Sequence, residues 1–202
     1  QSRQMKRTGH LFNQVSDFQA LYRAARRAAR GKSMTHSAAY FIFNLEREIL
    51  SLQREILAGS YTPRPYRTFF ISDPKPRTIS AADFRDRVAH HSLCSALEPL
   101  FERVAIFDSY ACRKGKGSHL AVKRTQFFAR RFDRFIKLDI RKFFETMDLA
   151  SLQTSLRRLV KDRLLLVLAG RIIDHGAPGS APGRGLPIGN LTSQHFANFY
   201  LA

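Results

Sequence analysis

Residues 135–144 read Phe-Ile-Lys-Leu-Asp-Ile-Arg-Lys-Phe-Phe, an apolar run in which a carboxylate, Asp139, stands between Leu138 and Ile140. The stretch Phe135–Ile140 predicts a short buried strand that ends in charge. A carboxylate there needs a partner, because a desolvated charge without one costs several kcal/mol. Two partners suit it: one of the chain's many arginines, or Mg²⁺ presented at a strand end to substrate phosphates. Phe143 and Phe144, placed just after a strand, suit the core.

Outward from that stretch the chain is mostly helical. Val15, Phe18, Leu21, Tyr22 and Ala25 recur at helical spacing, with Ser16-Asp17 as a cap and Gly31 as a stop. The opposite face carries Arg23, Arg26, Arg27 and Arg30, which taken alone is a solvated face. Phe41, Leu45, Ile49, Leu52 and Ile56 predict a second helix closed by Gly59. Helical spacing returns over 84–101, 118–130, 151–160, 162–173 and 191–201. Tyr66 to Ile71 and Thr78-Ile79 read as strands joined by Asp73-Pro-Lys-Pro-Arg77, a hairpin with a basic tip. The Gly- and Pro-rich stretch 176–185 reads as a mobile loop. Helices around a few strands, without βαβ alternation, make the class α+β.

Two further segments could carry chemistry. In Gly185-Leu-Pro-Ile-Gly-Asn-Leu-Thr-Ser-Gln194, Gly189 lets the backbone approach a ligand, and the following helix start attracts anions. By itself such a loop is more often only a helix entrance. Ser109-Tyr-Ala-Cys-Arg-Lys-Gly-Lys-Gly-Ser118 lacks Walker spacing and reads as a flexible basic loop, with Tyr110 available to stack on a base or sugar. His90 and Cys94 have no second ligand pair, so zinc is not expected. No nucleophile elbow is present.

Composition narrows the partner class. The 202 residues hold 34 Lys+Arg against 16 Asp+Glu, a formal +18, with 44% hydrophobic residues and 17 Phe. Such a chain can bury a core, which excludes a disordered basic tail. Arginines outnumber lysines by 25 to 9, and guanidinium forks pair phosphate oxygens two at a time. No apolar run approaches the roughly 20 residues needed to cross a bilayer. The two cysteines, Cys94 and Cys112, suit a reducing compartment.

The order of the segments is more specific than any one of them. Lys75 and Arg77 on the hairpin precede Asp83-Phe-Arg-Asp-Arg-Val88, then the 109–117 loop, Leu138-Asp-Ile-Arg-Lys-Phe-Phe144 and the 185–194 motif. Together they closely resemble bacterial reverse transcriptases of the group II intron-like lineage, over residues 59–202. Ile188 and Gln194, in an Ile-Gly-x-x-x-Ser-Gln form, are most similar to the enzymes of diversity-generating retroelements.

The resemblance implies an RNA-directed DNA polymerase with a right-hand fold, of which this chain carries the fingers and part of the palm. Residues 1–87 would be fingers, 88–148 palm, 149–187 fingers helices and loop, and 188–202 a palm helix. Asp139 matches the first catalytic aspartate, which holds two Mg²⁺ ions, with the Ile140 carbonyl as a further metal ligand. Lys75 and Arg77 match residues that grip the triphosphate. Phe144 stands at the steric gate against a ribose 2′-OH, and Ile188 with Gly189 would face the incoming nucleotide and its templating base. Arg87, Tyr110, Arg113, Lys114 and Lys116 would follow template RNA and primer. The implied partners are template RNA, primer or cDNA, dNTP and an accessory protein of the retroelement, in the bacterial cytoplasm and away from membrane.

The sequence also departs from that pattern. No Tyr-x-Asp-Asp hairpin occurs in the 202 residues, and Asp148 and Asp162 read as a turn and a helix start. The expectation is an N-terminal portion, truncated before that hairpin and the thumb and inactive for synthesis alone. A non-catalytic nucleic-acid-binding module and an interaction protein with an acidic partner are the alternatives.

Overall fold

The computed structural model describes residues 6–31, 35–72 and 75–202. In chain order the elements are α1 (Phe12–Ser16), α2 (Phe18–Ala29), α3 (His36–Phe43), α4 (Leu45–Leu57), β1 (Arg67–Ser72), β2 (Pro76–Ala81), α5 (Phe84–Val104), α6 (Ser118–Ala129), α7 (Phe143–Thr146), α8 (Leu149–Leu159), α9 (Arg163–Asp174) and α10 (Leu191–Tyr200). The α+β class holds. The strands β1 and β2 form one antiparallel hairpin, with Phe69 opposite Ile79 and Ile71 opposite Arg77. Its turn at Asp73-Pro74 lies outside the described residues.

The core is built around α5, which packs against α1, α2, α3, α4 and α10. Four alanines, Ala20, Ala24, Ala25 and Ala28, join Leu21 on the buried face of α2, and their small size lets the two helices approach closely. Asp17 caps α2 by accepting the N–H groups of Gln19 and Ala20, as its sequence position predicts. The helix predicted over Phe41–Ile56 is broken at Asn44, where φ −103° and ψ 30° separate α3 from α4. The expected border between residues 87 and 88 lies inside α5.

A buried polar network anchors the start of α5. The Asp86 carboxylate accepts from the Tyr61 hydroxyl (2.9 Å), the Arg64 N–H (2.8 Å) and Arg85 Nη1 (3.2 Å). Arg85 also pairs with Glu55 on α4, and its guanidinium lies over the Tyr61 ring. Burial pushes the Asp86 carboxyl above, and the Tyr61 hydroxyl far above, their ordinary values. Such a network fixes geometry when every member is satisfied.

Two sequence expectations change here. The stretch Phe135–Ile140 is not a buried strand: it forms no ladder, and Phe135, Ile136 and Leu138 are almost fully exposed. Apolar residues make a strand only where a neighbouring strand takes its hydrogen bonds, and none does so among the described residues. The loop at 176–185 is tied down rather than loose. Gly185 N–H donates to Met147 O (2.9 Å), Leu149 N–H to Gly183 O (3.0 Å) and Leu186 N–H to Phe144 O (2.8 Å).

Cys94 is buried, Cys112 is exposed, and both are free thiols. Among the described residues no helix is long and apolar enough to cross a membrane.

Candidate nucleic-acid interface

The two edges of β2 have different partners. One pairs with β1; the other, at Ser80 and continuing to Ala82 just past the strand, receives the segment Ile188-Gly-Asn190. Ser80 N–H donates to the Ile188 carbonyl (2.8 Å). Asn190 Nδ2 donates to the Ser80 carbonyl (2.9 Å), and its Oδ1 accepts the Ala82 N–H (3.2 Å). Residues two apart on a strand direct their backbone groups to the same edge, so Ser80 and Ala82 together fit one clamp. Gly189 sits between at φ +110°, where a Cβ would lie 2.7 Å from Ile79 Cγ2. Glycine is therefore demanded twice, by conformation and by contact.

Of the predicted site residues, this docking joins Ile188 and Gly189 directly to the hairpin that carries Arg77. Arg77 lies exposed on β2 and Lys75 just before it. The Ile188 side chain is half-buried and Gly189 is exposed at the joint. Phe144 is linked to the same loop by the Leu186–Phe144 bond, its half-buried ring edge-on to Phe143 at 5.8 Å. Asp139 and Ile140 are exposed on the stretch leading into α7. Asp139 makes no ion pair or hydrogen bond with any described residue, so the salt bridge weighed for it is not formed.

The donor set does not by itself fit two metal ions. Among the described residues no three His, Cys, Asp or Glu side chains are placed to share a metal, whereas a two-ion site needs several anionic ligands between the ions. Asp148 and Asp162 serve structure. Asp148 caps α8 by accepting Ser151 N–H (2.7 Å), and Asp162 accepts the N–H groups of His10 and Leu11.

The basic residues of the predicted interface differ in how far their partners take them from solvent. Arg113 is folded inward: Nε and Nη2 bind both oxygens of Glu102, and Nη1 donates to the carbonyls of Ile106 and Ser109. That guanidinium holds the Glu102 carboxyl below its ordinary value. Lys116 donates to the Phe107 carbonyl (2.7 Å) and lies over the rings of Phe107 and Tyr110, while the Tyr110 hydroxyl donates to Asp108. Lys114 meets Glu98 at 3.2 Å with its head in solvent. Arg87 donates to the Ala28 carbonyl (3.0 Å) and lines a cavity beside Gly189. Sequence reasoning weighed His90 only as a zinc ligand and Asn190 only as part of a motif, and missed that both are buried. An Asn after a glycine is visible in the motif, but the Ser80 and Ala82 groups that bury it lie more than 100 residues away.

With this geometry in hand, comparison with known proteins is specific in fold and broad in identity. No family model matches. The chain is 27% identical to protein YkfC of Escherichia coli K12 over 165 residues, covering 76% of this chain and 43% of that protein. It is 25% identical to the group II intron-encoded protein LtrA of Lactococcus lactis over 165 residues, 77% of this chain and 27% of LtrA. A chain of a partial Cas6-RT-Cas1–Cas2 complex matches 95% of it, with a TM-score of 0.63 at 19% identity, over 34% of that chain. The chain is thus similar to the reverse-transcriptase lineage of group II intron proteins, and its fold is the fingers with part of the palm. It spans less than half the length of the curated relatives named here.

Proposed function

We propose that these residues form the nucleotide- and template-facing part of an RNA-directed DNA polymerase acting in the bacterial cytoplasm. The observation that carries this reading is the clamp of Ile188-Gly-Asn190 onto β2. It sets the motif beside the hairpin of Lys75 and Arg77 and, through Leu186, beside Phe144. In this reading Lys75 and Arg77 bind the triphosphate, Phe144 excludes a 2′-hydroxyl, and Ile188 with Gly189 touches the base pair being made. Arg87, Tyr110, Lys114 and Lys116 follow the nucleic-acid backbone, and Arg113 shapes the loop that presents the last three.

Asp139 and the Ile140 carbonyl would contribute to a magnesium site completed by the rest of a longer parent protein, so no catalytic step is assigned to these 202 residues. An accessory protein fits as a further partner, in line with the multi-protein complex that contains the structural relative. Ile188 and Gln194 favour the diversity-generating branch. The test is Mg²⁺-dependent primer extension on RNA by the parent protein, with Asp139→Ala as control. Equal extension by the variant refutes the assignment.

Among the described residues Asp139 is the one carboxylate of the predicted site, which favours a second reading for the isolated chain: binding without synthesis. In that case the 202 residues bind primer–template more tightly than heparin at matched salt, and extend nothing.

A further inference from the structure

Beside the clamp lies a cavity of about 210 Å³ between α5 and the first turn of α10, lined by Arg87, His90, His91, Gly189, Asn190 and Gln194. Three independent features of it call for an anion. First, α10 has no side-chain cap, because the Asn190 amide is turned onto β2. The first-turn N–H groups, with the positive end of the helix dipole, are left facing this end. Second, His90 is 2% exposed, yet its Nδ1 has no hydrogen-bond partner among the described residues. A buried, unpaired ring nitrogen is costly unless something brings it a partner. Third, among the described residues the cavity is lined by the guanidinium of Arg87 and by no carboxylate.

We propose that this cavity binds a phosphate group. Arg87 supplies the cation, the α10 first turn supplies N–H donors, and His90 with His91 closes the inner wall. Gln194, exposed at the rim, donates its amide. The phosphate belongs either to the backbone of a bound strand or to a nucleotide, and only that choice rests on the function proposed above. A strand is favoured by continuity. The next face along α5 presents Ser95 to a second polar groove with Arg23, Arg27 and the α2-capping Asp17, and Arg27 bonds Ser95 Oγ. That groove gives the arginine face of α2 a use that the sequence alone leaves open.

The test uses the 202-residue chain, with a short fluorescein-labelled single-stranded RNA in one arm and dATP in the other. Gln194→Glu places a like charge at the rim without touching the core. Gln126→Glu on the exposed α6 is the matched control. RNA affinity is expected to fall about tenfold in Gln194→Glu, and the log–log salt slope of binding to fall by about 1. The control is expected to bind like the parent sequence. His91→Asn, which keeps the rim charge, is expected to weaken binding in the same arm. A loss confined to dATP assigns the phosphate to a nucleotide and still places it here. Unchanged affinity for both probes in Gln194→Glu and His91→Asn overturns the proposal. Primer extension enters neither arm, so this outcome and the polymerase reading stand or fall separately.

Discussion

The side-chain amide of Asn190 bridges the end of β2, giving a hydrogen to Ser80 O on the strand at 2.9 Å and taking one from Ala82 N, just beyond it, at 3.2 Å. Both backbone groups are buried, so each has this one amide in place of water. Asn190→Ala is expected to destabilise the chain by about 2–4 kcal/mol, since each unmet buried polar group costs about 1–3 kcal/mol. Urea unfolding measures it; a loss below about 1 kcal/mol would mean that water repairs the joint.

Gly189→Ala adds a methyl group against Ile79 Cγ2 in a backbone conformation of φ +110°. The expected cost is at least about 1–3 kcal/mol. Trimming the obstacle with Ile79→Ala relieves only the steric part. The double variant should therefore recover some stability but not all of it, which a double-mutant cycle reads directly.

Acid should loosen the fold through α5. Burial pushes His90 down to about 3 and His91 down to about 4, from an ordinary 6.5. Below 6.5 the unfolded chain takes up protons that the folded chain refuses, so stability is full above that pH and falls as pH drops toward 4. For His90 the slope approaches about 1.4 kcal/mol per pH unit. His90→Gln should flatten the curve of urea midpoint against pH. Asp86, whose carboxyl is pushed up by burial, acts in the opposite sense above its ordinary value and is unaffected by that substitution. An unchanged curve in His90→Gln would show that His90 does not carry the acid sensitivity.

Arg113 and Lys116 share a loop but should fail differently. Arg113→Lys cannot reproduce the forked bond to Glu102 or reach the carbonyls of Ile106 and Ser109 together. Faster proteolysis of residues 105–117 is expected. Lys116→Gln should leave proteolysis nearly unchanged while lowering RNA affinity. If both variants are cut equally fast, Arg113 is not the residue that holds the loop.

Ile188 tests the branch of the polymerase reading. Ile188→Gln in the parent protein is expected to tighten base selection opposite template adenine, measured as misincorporation per site. No change removes the diversity-generating assignment and leaves the polymerase reading intact.

The helices were legible because their signals are local. Asp17, Gly31 and Gly59 punctuate where they should, and the apolar spacing of α2, α4, α5, α8 and α9 matches their buried faces. The hairpin was read within one or two residues, since its alternation and its Pro-Lys-Pro tip are short-range features. What escaped were properties of pairs. Phe135–Ile140 has strand composition, but composition does not provide the neighbouring strand. Arg113 looked like a free cation in a glycine-rich loop until Glu102, eleven residues back, took it inward. Asn190 is polar in sequence and buried in the fold, because β2 lies against it across more than 100 residues. The joint between Ile188-Gly-Asn190 and β2 was a matter of topology, which no motif displays.

The helix α6 buries none of its residues, and the stretch after it shows Phe132, Phe135, Ile136 and Leu138 to solvent among Arg130, Arg131, Arg134 and Lys137. Greasy and cationic groups on one surface make ionic strength a two-way control on the isolated chain. In dilute buffer, mutual repulsion keeps copies apart. As the screening length shrinks from about 10 Å at 0.1 M salt to about 3 Å at 1 M, that protection fades and the aromatic surface becomes adhesive. On the proposed reading, the salt that would strip nucleic acid from this chain is therefore the same salt that exposes its aromatic surface to clumping. Handling it free of nucleic acid calls for a narrow middle range, or for arginine in the buffer.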